Sequence, residues 1–159
     1  MKKVIFSAAI LLAGFSAANA QSSTASQNVA LTLANSIDIT ITASTGNNFT
    51  FGSTANYETG LTNLAAASFQ VKSNRAYAVT VKSAAATFTT SAGTPMPSTV
   101  LAVRLNGGAT FGDLNTTAAA LTSGTRGTNV FSIDYKANPG FLYDAGSYTM
   151  SVIYTATQQ

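Results

Sequence analysis

Between Tyr143 and Thr157 the larger side chains recur at every second position. Tyr148, Met150, Val152, Tyr154 and Ala156 fall on one face, and Thr149, Ser151, Thr155 and Thr157 on the other. A period of two puts successive side chains on opposite sides of a β-strand, so this stretch predicts a half-buried strand and argues against a helix. Burying Tyr148, Met150, Val152 and Tyr154 would contribute roughly 6–12 kcal/mol before entropy, at about 1.5–3 kcal/mol each. That is of the order of the whole net stability of a domain. A fold for this chain must therefore give this strand a place.

The same alternation runs through the rest of the chain. Val29, Leu31, Leu33, Ile37, Ile39 and Ile41 occupy odd positions, with Asn35-Ser36 interrupting the apolar face. Two readings stand: one long strand bent at Asn35-Ser36, or two strands of which Val29–Leu33 is free to pair elsewhere. Phe49-Thr50-Phe51-Gly52 reads as a short strand after the turn-rich Thr45-Gly46-Asn47-Asn48, and residues 61–67 as a loop. Phe69 and Val71, the turn Ser73-Asn74-Arg75, then Tyr77, Val79 and Val81 predict a β-hairpin with Lys72 and Lys82 on the wet face. Pro95-Met96-Pro97 interrupts pairing, because neither proline donates a ladder hydrogen bond. Leu101, Val103 and Leu105 make another strand; Asn106-Gly107-Gly108 supplies the turn of a hairpin returning through Ala109 and Phe111. Residues 112–128 look like a long loop, and Phe131, Ile133 and Tyr135 form a strand ended by Pro139-Gly140.

Asp144-x-Gly146-x-Tyr148 resembles the tyrosine corner of immunoglobulin-like sandwiches, in which a Tyr hydroxyl ties the start of a strand to nearby backbone. With many short strands and no convincing helix in the body, the expected fold is all-β. It is an antiparallel immunoglobulin-like β-sandwich of seven or more strands, preceded by a signal peptide helix.

Residues 1–20 are read as that signal peptide. Lys2 and Lys3 precede an apolar run from Val4 to Ala13, and Ala18-Asn19-Ala20 has the small-x-small pattern of a cleavage site. Gly14, Ser16 and Asn19 interrupt the run before the ~20 apolar residues a membrane span needs. Cleavage after Ala20 leaves one domain over residues 21–159, exported to the periplasm, cell surface or medium, with no membrane span. It also removes two lysines, leaving six basic against five acidic side chains, a net charge of +1. No Lys/Arg run remains to suggest a nucleic acid or an anionic membrane. Exported chains often use disulfides, but this one has no cysteine, so burial and backbone pairing must hold it together.

The same inventory bears on chemistry. The chain has no His and no Cys, which removes His-based triads, His or Cys zinc sites and thiol nucleophiles. Asp38, Glu58, Asp113, Asp134 and Asp144 sit at turn-like or wet-face positions and read as surface charge rather than as a glycosidase pair or a calcium cluster. Lys82 and Ser83 are adjacent in a strand and point to opposite faces, which disfavours a Ser–Lys dyad. No catalytic residue, cofactor or metal site is expected. Tyr77, Tyr135, Tyr148 and Tyr154 fall in core phase, whereas Tyr57 and Tyr143 fall in loops, where ring faces can stack on a glycan.

Taken in order, the alternating N-terminal strand from Val29 to Ile41, Phe49-Thr50-Phe51-Gly52, the Tyr77–Val81 strand and Gly146-Ser147-Tyr148-Thr149 resemble spore-coat-protein-U-like and pilin-like secreted domains. The likeness to cell-wall WxL domains is weaker. Gln158 stands where chaperone–usher pilins carry a penultimate Tyr, and the Cys usual near Ile37 in coat-protein relatives is missing. The resemblance implies a sandwich that lacks one strand and accepts it from a neighbour. On that reading the chain is a non-catalytic structural subunit of a bacterial surface fibre, coat or biofilm matrix, partnered by copies of itself or related subunits. Val29, Leu31 and Leu33 are then the candidate donor strand, and Asp144, Gly146, Tyr148, Met150, Val152 and Tyr154 the structural corner and core strand. The alternative function is a monomeric extracellular glycan- or protein-binding module.

Overall fold

The computed structural model describes residues 21–45 and 47–159; the helix expected over residues 4–17 and the cleavage after Ala20 lie outside the described residues. Residues 33–159 make one compact unit, and residues 21–32 belong to another. In chain order the elements are β1 (Ile37–Ser44), α1 (Thr54–Thr59), β2 (Leu61–Ser73), β3 (Tyr77–Ser83), β4 (Thr89–Thr90) and β5 (Leu101–Leu105). They continue with β6 (Gly112–Asp113), β7 (Ala119–Gly124), β8 (Gly127–Ala137), β9 (Tyr148–Thr149) and β10 (Val152–Gln158).

Every strand pair is antiparallel. One sheet runs β1-β2-β8-β5-β6, a second β10-β3-β7, and β4 pairs with β9 in a small third. The fold is thus the expected antiparallel immunoglobulin-like β-sandwich of more than seven strands. Its interior comes from the predicted period: Phe69 and Val71 of β2, Tyr77, Val79 and Val81 of β3, Val103 of β5, and Ile133 and Tyr135 of β8 are all buried. Phe69 stacks on Phe131 with ring centroids 5.3 Å apart and meets the tilted ring of Tyr154 at 4.4 Å.

Several expectations are corrected. The segments on either side of Ser73-Asn74-Arg75 do not form a hairpin: β2 pairs with β1 and β8, whereas β3 pairs with β10 and β7. The chain crosses there from one sheet to the other, so the two apolar faces meet across the core instead of lying side by side. Residues 61–67 are not a loop but the first half of β2, whose register to β8 slips between Asn63 and Ala67 around Ala65, at φ 48°. Residues 112–128 hold β6 and β7 rather than one long loop.

Phe49–Gly52 forms no strand, although Phe49 and Phe51 pack on the core. The next residues form α1, capped by Ser53 and Asn56, each side chain bonding the other's backbone N–H. Helix α1 ends at Gly60, whose φ of +72° and close approach to the Ala137 carbonyl leave no room for a side chain. The hairpin through Asn106-Gly107-Gly108 is present, but its returning strand β6 begins only at Gly112.

Candidate assembly site

Strands β1 and β10 are the outer strands, on one side, of the two main sheets. Strand β1 begins opposite Ser73 of β2, and β10 ends opposite Tyr77 of β3, just past the crossing turn, so the two run in opposite directions. Gln158 ties them at that end. Its Nε2 lies 2.7 Å from the Ser36 carbonyl, 2.9 Å from Asn74 Oδ1 and 3.1 Å from Ser73 Oγ. An amide nitrogen has two protons, so it donates to two of these three acceptors at a time. Asn74 adds to the knot: its Oδ1 accepts from the Ser36 amide at 3.0 Å and its Nδ2 donates to the Ala34 carbonyl at 2.7 Å.

Away from the knot the interior is open along this seam. Ile37, Ile39 and Ile41 share the inward phase of β1, yet the first two are only half-buried and Ile41 is 62% exposed. On β10, Val152, Tyr154 and Ala156 face inward and are half-buried as well. The equivalent positions of the interior strands are covered, Val71, Val79 and Ile133 completely. The free edges of β1 and β10 border a strip of half-covered apolar side chains.

The N-terminal segment is the complementary feature. Residues 21–36 contain no strand, so regular pairing starts at Ile37 rather than at Val29. Val29, Leu31 and Leu33 are 76%, 85% and 87% exposed.

The predicted C-terminal strand is present in two pieces, interrupted at Met150-Ser151. Tyr148 lies in β9 and pairs with Thr90 of β4, while Val152 and Tyr154 lie in β10 beside β3. Tyr148, Met150, Val152 and Tyr154 are each half-buried. The Tyr148 hydroxyl donates to the Asp144 carbonyl four residues upstream at 2.9 Å, the contact a tyrosine corner makes. The Asp144 carboxylate accepts from Thr94 Oγ1 at 2.6 Å, and Gly146 backs closely onto Ala92.

Asp134 was expected on the wet face and is instead fully buried. It points to the outer side of β8, but there the slipped segment of β2 and the end of β5 cover it. Its Oδ1 accepts from the Ala65 amide at 2.9 Å and from Asn106 Nδ2 at 2.7 Å, and its Oδ2 from Arg104 Nε at 2.8 Å. Burial alone would raise its pKa; the hydrogen bonds from Asn106, Ala65 and Arg104, with the Arg104 charge, outweigh it and hold the carboxyl below the usual range. Arg104 also lies 4.2 Å from the Phe111 ring centre. These three contacts bind the carboxylate to the slipped segment of β2 and the end of β5, so it anchors the bulge.

The other polar groups of the interior are sparse. The hydroxyls of Tyr135 and Tyr154 share a 2.6 Å hydrogen bond. Burial raises the Tyr154 pKa far above the phenol range, and the Tyr135 partner adds to the rise. Ser83 Oγ is buried with no hydrogen-bond partner among the described residues. Among the described residues no three His, Cys, Asp or Glu side chains are grouped as metal ligands, and no helix is long and apolar enough to cross a membrane. A shallow cavity of about 360 Å³ between the β5–β6 hairpin and β7 brings Arg104, Phe111 and Asp113 together without a second carboxylate. Tyr57, expected in a loop, lies on α1 and stacks on Phe141, while Tyr143 is half-buried.

Neither a protein-family model nor a curated protein matches the chain. Among solved structures, a chain from a chaperone–usher pilus, in work on the uncoiling of its rod, is similar at a TM-score of 0.45. The two share 13% identity over 89% of this chain and 97% of that one.

Proposed function

We propose that this chain is an exported, non-catalytic structural subunit of a bacterial surface fibre, coat or biofilm matrix, joined to copies of itself or related subunits by a donated strand. One observation carries the reading: a half-covered apolar seam between two strand edges, in a chain whose own N-terminal segment holds three exposed apolar residues at period two. A strand laid in the seam pairs its backbone with the edges and fills it with alternate side chains. Burying Val29, Leu31 and Leu33 there contributes roughly 5–9 kcal/mol, at about 1.5–3 kcal/mol each, before the cost of ordering the segment. Such a contact is heterologous: each subunit gives one strand and accepts another, and the series grows into an open filament unless a ring closes.

The test is deletion of residues 21–33, read by size-exclusion chromatography and negative-stain microscopy. The parent is expected to form oligomers or fibres, and the deletion to leave a folded domain that does not assemble or that aggregates through its open seam. A parent that stays monomeric at high concentration, with a deletion that merely unfolds, rejects the subunit reading. Its replacement would be the monomeric glycan- or protein-binding module, for which the exposed ring of Phe141 stacked on Tyr57 is the supporting feature.

A further inference from the structure

Phe141 is 63% exposed and stacks on Tyr57 at 5.3 Å, Tyr57 leans on Phe51 at 5.2 Å, and the neighbouring Leu142 is 77% exposed. We infer that this patch is the surface on which the next copy of the chain seats the opposite end of its sandwich; the inference rests on the strand donation proposed above. Strand β2 defines the two ends. Ser73 lies at one, beside the start of β1, Asn74 and Gln158; Leu61 lies at the other, paired with Ala137 and following directly on α1. Thirteen residues at about 3.3 Å each separate the ends by roughly 40 Å. The patch belongs to the Leu61 end, because Tyr57 is on α1 and Phe141 follows β8 by four residues.

The direction of the donated strand decides which ends meet. Since β1 and β10 run oppositely, an inserted strand is antiparallel to only one of them. Strand β10 offers seven residues in unbroken register with β3, whereas the β1 ladder slips after Ile41. Antiparallel pairing is the slightly more stable kind, so it falls to β10. The donated strand then runs from the Ser73 end toward the Leu61 end of its acceptor and leaves the seam beside Val152. Only Ala34, Asn35 and Ser36 separate Leu33 from the donor's own β1, a reach of at most about 14 Å from Leu33 to Ile37. The donor's Ser73 end is therefore held against the acceptor's Leu61 end, past which β2 and β8 project beyond the last residue of β1. The opposite direction would bring two Ser73 ends together, a geometry in which two chains exchange strands and close as a dimer, leaving the patch bare.

The charges of the two ends are complementary in the same sense. Arg75 and Arg126 are exposed at the Ser73 end, with Lys72 paired across the strands to Asp38. The Leu61 end presents Glu58, Asp113 and Asp144 against Lys82 and Lys136. An arginine over an exposed aromatic face adds a cation–π contact that neither end has alone.

A chain without cysteine allows the contact to be trapped on a clean background. The exported protein carrying Arg75→Cys and Leu142→Cys is treated with a short bismaleimide and run on a denaturing gel; separately, Phe141→Ser with Leu142→Ser is titrated for assembly. The expected results are a ladder of cross-linked multimers that vanishes when residues 21–33 are deleted, and assembly shifted to about tenfold higher concentration in the double serine variant. Oligomers that form normally in that variant, with no ladder from the cysteine pair, overturn this inference and leave strand donation standing. Normal assembly with lost retention on immobilised polysaccharide overturns it in favour of a glycan surface. A parent that never assembles overturns both readings together.

Discussion

Replacing Asp134 by asparagine removes one charge from the interior and almost no volume. In the native protein the carboxylate receives three hydrogen bonds, from the Ala65 amide, Asn106 and Arg104. The asparagine oxygen can still accept from Ala65 and Asn106, but its NH₂ then faces Arg104 Nε, donor against donor. A hydrogen bond to a charged group contributes about 1.5–3 kcal/mol, and the two surviving bonds lose their charge-assisted part. Arg104 keeps 21% of its side chain in water, which softens the loss of its partner. The expected destabilisation is about 3 kcal/mol, at the lower edge of what breaking a buried pair costs. Acid dependence gives a second readout. The folded carboxyl titrates below its unfolded value of about 3.9, so its stabilisation is complete above that pH and is lost as the pH falls through the folded pKa. The gap between parent and Asp134→Asn should therefore be full at pH 7 and narrow below about pH 4. Urea unfolding followed by circular dichroism and tyrosine fluorescence suits a chain without tryptophan. A loss under about 1 kcal/mol at pH 7, or a gap unchanged down to pH 2.5, would refute the anchoring role.

Further outcomes follow from other residues. Ser83→Ala should leave stability unchanged or raise it by about 1 kcal/mol in the same assay, because the hydroxyl is buried without a partner among the described residues; a loss above 1 kcal/mol would mean that it is bonded. Gly60→Ala should cost more than about 1 kcal/mol, since the positive φ and the Ala137 carbonyl both oppose a Cβ; unchanged urea midpoints would contradict that geometry. Tyr148→Phe should lose about 0.5–1.5 kcal/mol, the worth of the corner hydrogen bond to the Asp144 carbonyl, with a null effect in urea unfolding counting against a corner. Tyr77, Tyr135 and Tyr154 all have raised phenol pKa values from burial. The unfolded chain releases those protons first, so stability should fall as pH rises above about 10, and phenolate absorbance at 295 nm should show three tyrosines ionising at higher pH in the folded than in the urea-unfolded protein.

Alternation in the sequence reveals which face of a strand is apolar, and that was enough for the class of fold and most of the core. It does not reveal which strand lies alongside, so the arms around Ser73-Asn74-Arg75 look like a hairpin whether they pair or part. No alternation marks β7, because Ala119–Gly124 has one large side chain, Leu121, among small ones; Gly124 lies directly against the ring of Tyr77 and has no room for anything larger. The burial of Asp134 depends on Ala65, 69 residues away, and on a slipped register that no local pattern encodes. Ser53 with Asn56 was a legible helix start, a capping residue followed three positions later by an amide. For the seam the sequence supplied the apolar residues but not their exposure, since Ile41 in a filled core and Ile41 at an open edge are written alike.

The hydrogen bond from Gln158 to Ser36 spans 122 positions. It joins the end of β10 to the residue just before β1, so this fastening forms only once both of these distant segments have been made. Domains dominated by such distant pairings fold in milliseconds to seconds rather than microseconds. During that interval both seam edges and the apolar strip between them are open to any other extended chain. A tag fused directly after Gln159 would sit beside this fastening, so the yield of folded protein should fall when one is placed there.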